Sequence, residues 1–104
     1  MTAVGVTTSP TKEQFSTQVN ESFHAAAPDG REFEMSLIYF KDILDVETQE
    51  TFSITFKAPA DLPSEQGTYT VSNASLGEQA IFLVPVNRDE NGLYLEAVYN
   101  RFKS

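Results

Sequence analysis

Between Thr51 and Ala58 the chain alternates without a fault, with Phe52, Ile54, Phe56 and Ala58 on one side and Thr51, Ser53, Thr55 and Lys57 on the other. Period two places successive side chains on opposite faces of an extended backbone, so this segment reads as a strand with one apolar and one polar face. A single strand cannot bury its own apolar face. It needs a sheet that packs on a second layer or curls on itself.

Other segments repeat the signal. Ser22 to Ala26 is a short strand, and Pro28-Asp29-Gly30 is a turn, with Pro presetting φ and Gly supplying positive φ. Arg31 to Ile43 is a long strand with Phe33, Met35, Leu37 and Tyr39 on one face. Ile38 and Phe40 break its alternation and predict a bulge or bend. Asp45 to Gln49 reads as an acidic connection and Pro59 to Gln66 as a loop. Thr68 to Ser72 is a strand with Tyr69 and Val71 inward, closed by a hairpin over Asn73 to Gly77. Glu78 to Val86 is apolar on both faces from Ala80 to Val84, which predicts a central or doubly covered strand ending at Pro85. Asn91-Gly92 marks a further hairpin, and Leu93 to Phe102 is the last strand.

Only one segment has a helical period. Ser9-Pro10 reads as an N-cap and first helical residue, followed by a helix over Lys12 to Asn20 with Phe15, Val19 and Phe23 at i, i+4 and i+8. Phe15 and Val19 are expected to dock on the sheet, with Lys12, Glu13 and Gln18 in solvent. Residues 1–8 read as a loose leader and residues 9–104 as one small domain. The expected fold is mainly β: a meander of six antiparallel strands closed into a small barrel or a tight two-layer sandwich, plugged by one short N-terminal helix. Its core should hold Phe52, Ile54, Phe56, Tyr69, Val71, Ile81 and Leu83.

Composition narrows the function classes. There is no Cys, which removes disulfides, thiolate metal sites and cysteine nucleophiles. The net charge of −8, with seven scattered Lys and Arg, disfavours nucleic acid and anionic membrane surfaces as partners. The longest apolar run, Ala80 to Val86, is too short to span a bilayer, and Met1 to Pro10 lacks a secretory signal pattern. A cytoplasmic location is expected.

No constellation points to catalysis. His24 stands alone, without a second imidazole or a nucleophile context, and reads as structural. Asp42, Asp45, Glu47 and Glu50 form an acidic run that admits hydrolytic carboxylate chemistry or calcium, but it reads better as a solvated loop. Asp89-Glu90-Asn91-Gly92 resembles part of a calcium loop, yet Glu96 comes too early for the twelve-residue pattern. None of the five glycines falls in a phosphate-loop spacing. No catalytic, cofactor or metal site is expected.

The segment from Leu62 to Asn100 carries Leu62-Pro63, Gln66-Gly67-Thr68-Tyr69, Leu76-Gly77, Phe82-Leu83-Val84-Pro85-Val86 and Glu96-Ala97-Val98-Tyr99-Asn100. With the Ser9-Pro10 to Phe15 opening, these pieces resemble a small bacterial family of domains of unknown function. Members of that family lie near genes for tail-fibre or tail-collar proteins of the microcystin-dependent type. The resemblance implies a structural or accessory role in a phage-tail-like assembly and no enzyme activity.

Three functional expectations remain. The first is a non-enzymatic structural or protein-interaction module. The second is a barrel binding a small ligand, with aromatics lining a pocket. The third is a hydrolase using the acidic run. For the first, the contact face is expected on the last strand at Tyr94, Glu96, Val98 and Phe102. That strand is apolar on both faces, and as the last strand it is expected at a sheet edge or barrel seam, where unpaired backbone accepts an added strand. The partner expected there is another protein chain, and a homo-oligomer is one form it can take.

Overall fold

The structure is a computed structural model that describes residues 10–102. The leader and Ser9 lie outside the described residues. One short helix, α1 (Lys12–Ser16), precedes six strands: β1 (Ser22–Ala26), β2 (Glu32–Asp45), β3 (Gln49–Ala58), β4 (Gly67–Asn73), β5 (Gly77–Asp89) and β6 (Gly92–Phe102). All pairings are antiparallel, and the sheet closes into a barrel in the order β1-β2-β3-β6-β5-β4, with β4 returning to β1. The expected sandwich alternative and the simple meander are both replaced by this ring. After β3 the chain crosses one end of the barrel through residues 59–66, then forms the hairpins β4-β5-β6, and β6 lies beside β3. This is a Greek-key connection.

The alternation read from the sequence builds the core. Phe52, Ile54, Phe56, Tyr69, Val71, Ile81 and Leu83 are all buried, joined by Phe15, Phe23, Met35, Leu37, Leu93 and Leu95. Phe23 meets Phe56 edge-on at 5.3 Å between ring centroids. The Pro28 to Gly30 turn forms as read, with Gly30 at φ 91° and Ala27 N–H donating to Arg31 O.

Two bulges explain where the strand parities fail. In β2 the register shifts between Leu37 and Tyr39. The extra residue swaps the faces, so Tyr39 turns outward at 55% exposure while Phe40 packs against the core. The sequence reading had Tyr39 inward. In β5 the register shifts between Pro85 and Asn87, so the strand passes the proline and runs on to Asp89 instead of ending. The outer face of β5 is in solvent, with Phe82 at 55% exposure. Of the two alternatives read from its apolar run, the central position holds, with β5 paired by β4 and β6, and the double covering does not.

Helix α1 is shorter than its pattern. The N-cap is Thr11, whose hydroxyl accepts from Gln14 N–H while the Gln14 side chain accepts from Thr11 N–H, a full capping box. It ends after five residues because the chain is already engaged with β2: Asn20 N–H donates to Leu37 O, and Leu37 N–H donates to Glu21 O. Asn20 makes the corner at φ 77°, a conformation Asn tolerates better than most residues. Phe15 docks as expected, with its ring 5.3 Å from Tyr99 and 5.9 Å from Phe52. Val19 is only half-buried. Lys12 and Gln18, expected in solvent, are buried. Lys12 reaches Asp42 at 3.1 Å and also pairs with Asp45, and Gln18 accepts from Asn73 Nδ2 at 2.9 Å.

Pairing is uneven along the long strands. β1 covers β2 only from Glu32 to Ser36, and β5 covers β6 only as far as Glu96. The ladders β2-β3 and β3-β6 continue to Asp45↔Glu50 and Gln49↔Phe102. The far ends of β2, β3 and β6 therefore form a three-stranded extension of the ring. Fourteen residues of β2 span roughly 45 Å, which accounts for the 42 Å long axis.

Candidate functional site: the outer face and free edge of β6

Strand β6 is held by β3 over its whole length, from Leu93↔Ala58 to Phe102↔Gln49. It is an interior strand of the ring, not the sheet edge expected of the last strand. Only its second half behaves as an edge. From Ala97 to Phe102 the side turned away from β3 has no ladder partner among the described residues. This half is the seam from which an added strand can be built.

Tyr94, Glu96, Val98 and Phe102 share the outer face of β6, as their common parity requires. They do not form one compact patch. Tyr94 to Phe102 spans roughly 27 Å of strand. Tyr94 and Glu96 are half-buried between β3 and β5, whereas Val98 and Phe102 are 59% and 88% exposed on the free half. Tyr94 serves the hairpin: its hydroxyl donates to the Asp89 carboxylate at 3.1 Å. Burial, and then this bond, push the Tyr94 phenol above its ordinary range.

That hairpin differs from the turn read from Asn91-Gly92. The two loop residues are Glu90 and Asn91, and Gly92 already pairs with Asp89. The Asp89 carboxylate accepts from Asn91 N–H at 2.8 Å and from Gly92 N–H at 3.1 Å. The Asn91 bond leads in holding Asp89 below the usual carboxylate range, helped by the Tyr94 hydroxyl. Gly92 is needed for space: a Cβ there would lie 2.7 Å from Ala58 O.

The inner face of the extension is an aromatic stack. Phe52 lies 5.0 Å from Tyr99 and 5.6 Å from Phe40. The Arg101 guanidinium covers the Tyr99 ring at 4.7 Å and the Phe52 ring at 5.2 Å and faces Glu50 at 3.8 Å. Its Nη2 is buried and has no hydrogen-bond partner among the described residues. Burial raises the Tyr99 phenol, and Arg101 opposes that rise. Arg101 escaped the sequence reading, although its parity with Tyr99 would have placed it on this inner face.

The other candidates disperse. Asp42, Asp45 and Glu50 lie on strand ends rather than on a solvated loop, and each faces a cation: Lys12 for the two aspartates, Arg101 for Glu50. Lys12, held first by Asp45 and then by Asp42, is raised above the ordinary lysine range. His24 is pinned on the outer barrel wall between Glu34 (Nδ1, 2.6 Å) and Glu32 (Nε2, 2.8 Å). Its pKa is raised, chiefly by Glu34 and then by Glu32. Among the described residues no group of three or more His, Asp or Glu is placed to hold a metal ion. At the barrel end under the 59–66 crossing, the cleft beside Phe33, Leu62, Tyr69 and Leu93 holds about 10 Å³, room for one water.

A family model for a domain of unknown function matches residues 10–99, from Pro10, just ahead of α1, to the stacked Tyr99. The chain belongs to the DUF6916 family. No curated protein and no solved structure matches this DUF6916 chain. No helix among the described residues of the DUF6916 domain is long and apolar enough to cross a membrane.

Proposed function

We propose that this DUF6916 domain is a non-enzymatic protein-interaction module that docks another protein chain on the free half of β6. The observation that carries the reading is the coincidence of a strand edge left unpaired among the described residues, Ala97 to Phe102, with the exposed side chains Val98 and Phe102 on the same segment. An uncovered edge supplies backbone donors and acceptors for a partner strand, and the alternate side chains supply selectivity. The barrel interior argues against the ligand-binding alternative. Core side chains fill it, and the cleft at its end holds only about 10 Å³. The larger hollow of about 250 Å³ beside Lys57, Pro59 and Asn91 is an open surface groove that does not enter the barrel, and it is still below the ~300 Å³ of a small-molecule site. Of the acidic run that a hydrolase would need, Asp42 and Asp45 share Lys12 and Glu50 faces Arg101. A tail-like fibre assembly is the setting that the sequence resemblance suggests for the partner.

The test is a photoreactive amino acid placed at Phe102 in the native host, with the same group at exposed Thr70 on β4 as control. Protein adducts are expected at position 102 and not at 70. Adducts that are equal at the two positions, or absent at 102, overturn the reading.

A further inference from the structure

We infer that the partner seated on the free half of β6 is a second copy of this chain, joined β6 to β6 in an antiparallel pair centred on Asn100. The inference rests on the reading of this segment as a docking edge and names its occupant.

Natural sheets protect their edges with charge, proline, bulges or a covering element. The two edges of the extension differ in this respect. The β2 edge is guarded: α1 lies beside it, Lys12 pairs with Asp42 and Asp45, and a second bulge falls between Asp42 and Leu44. The β6 edge has fewer: among the described residues no strand pairs with it, and its one charge, Arg101, is turned inward over the Tyr99 and Phe52 rings. Ala97-Val98-Tyr99-Asn100-Arg101-Phe102 contains no proline, no glycine and no acid, and its ladder with β3 runs without a register shift. Each copy thus presents about 20 Å of regular strand.

The pattern of side chains selects the register. A two-fold axis that keeps outer face beside outer face pairs residues of equal parity. Centred on Arg101, the pair sets two guanidinium groups directly opposite, which is unfavourable. Centred on Tyr99, it sets Phe102 opposite Glu96, an apolar ring against a carboxylate. Centred on Asn100, it sets Val98 opposite Phe102 twice on the outer face and Tyr99 opposite Arg101 twice on the inner face. Each chain already stacks Arg101 over Tyr99 at 4.7 Å, so the pairing repeats across the axis a contact that the sequence favours within one chain. It also brings polar and aromatic groups of the partner toward the unpartnered Arg101 Nη2. The overall charge of −8 opposes association, and the edge itself carries one cation and no anion, so the repulsion is least here. Two such edges with four outer apolar side chains bury on the order of 1,000 Å², the lower limit for a specific interface. The dimer is therefore expected to be weak and to strengthen with salt, which screens the net charge.

The chain has no cysteine, so single Cys variants report the register directly. Asn100→Cys is expected to form a disulfide-linked dimer under mild oxidation at least about tenfold faster than Thr70→Cys, because only a two-fold centred on position 100 brings its two copies together. Sedimentation of the unmodified chain should show a monomer–dimer equilibrium that Phe102→Asp weakens by about tenfold or more. Phe102 is 88% exposed, so this change leaves the fold intact, and circular dichroism checks that. A chain that stays monomeric at millimolar concentration, with Asn100→Cys no faster than Thr70→Cys, overturns the inference. If photo-crosslinks at position 102 then lead to a different protein, the docking edge stands and the second copy is wrong. If they lead nowhere, both fall.

Discussion

Phe52 and Phe102 lie on paired strands, yet the same truncation should have opposite consequences. Phe52 is fully buried and touches Phe15, Phe40, Tyr99 and Arg101, so it joins the helix plug to the three-stranded extension. Replacing it by Ala removes a phenyl group from a site whose neighbours belong to three different elements and cannot collapse together. The expected cost is at the upper end of about 3–5 kcal/mol for a buried Phe→Ala. Domains of this size have about 5–15 kcal/mol in total, so a third or more of the stability is lost. With a urea m-value of about 2 kcal/mol/M, the unfolding midpoint should fall by roughly 2 M. Tyrosine fluorescence and far-UV circular dichroism should report the same midpoint, since small domains unfold in one step. Phe102→Ala, at 88% exposure, should stay within about 0.5 kcal/mol of the parent when dilute. A shift below ~0.3 M for Phe52→Ala, or equal shifts for the two variants, would contradict the placement of the aromatic stack.

The His24 cluster should make stability depend on pH. The folded pKa is raised above the ordinary 6.5, chiefly by Glu34, so His24 stabilises fully below about pH 6.5, and that contribution disappears as pH rises through the folded value. An NMR titration should place the imidazole above 6.5, and Glu34→Gln should lower it. Asp89 has the opposite sign: its folded pKa is depressed, so its contribution is present above pH 3.8 and lost on acidification through the folded value, and Asp89→Asn should flatten the acid limb of a thermal-melt series. Gly92→Ala forces a methyl against Ala58 O and should destabilise by about 1–3 kcal/mol in urea melts. Thr11→Ala removes the helix cap and should cost about 1 kcal/mol, with amide exchange faster over residues 12–16 than in the barrel.

Strand positions and the core were legible because alternation is a local signal. Every residue expected in the core from β3, β4 and β5 is buried. Strand order was not legible. Three hairpins are marked by their own turn residues, whereas the β3-β6 ladder joins residues 51 and 100, which no short-range pattern links. Tyr39 was misplaced because one bulged residue reverses parity for the residues that follow it, up to the second bulge between Asp42 and Leu44. Lys12 was misplaced because a lysine on a short amphipathic helix looks solvated until the topology brings Asp42 and Asp45 beside it. At the candidate site, parity placed Tyr94, Glu96, Val98 and Phe102 together on the outer face. The division between a covered half and a free half came from where β5 leaves β6 at Glu96, a tertiary event with no mark in the residues of β6 itself.

Residue-resolved amide exchange over β6 tests the docking edge most directly. Along Ala97 to Phe102, amides alternate between those facing β3 and those facing away. In dilute protein the away-facing amides should exchange orders of magnitude faster than their neighbours, near the rate of an unpaired chain. On adding partner, or on concentrating the chain itself, those same amides should slow while the β3-facing ones change little. Equal protection of both sets in the dilute monomer would mean that the edge is already covered, and β6 would have no free strand to offer.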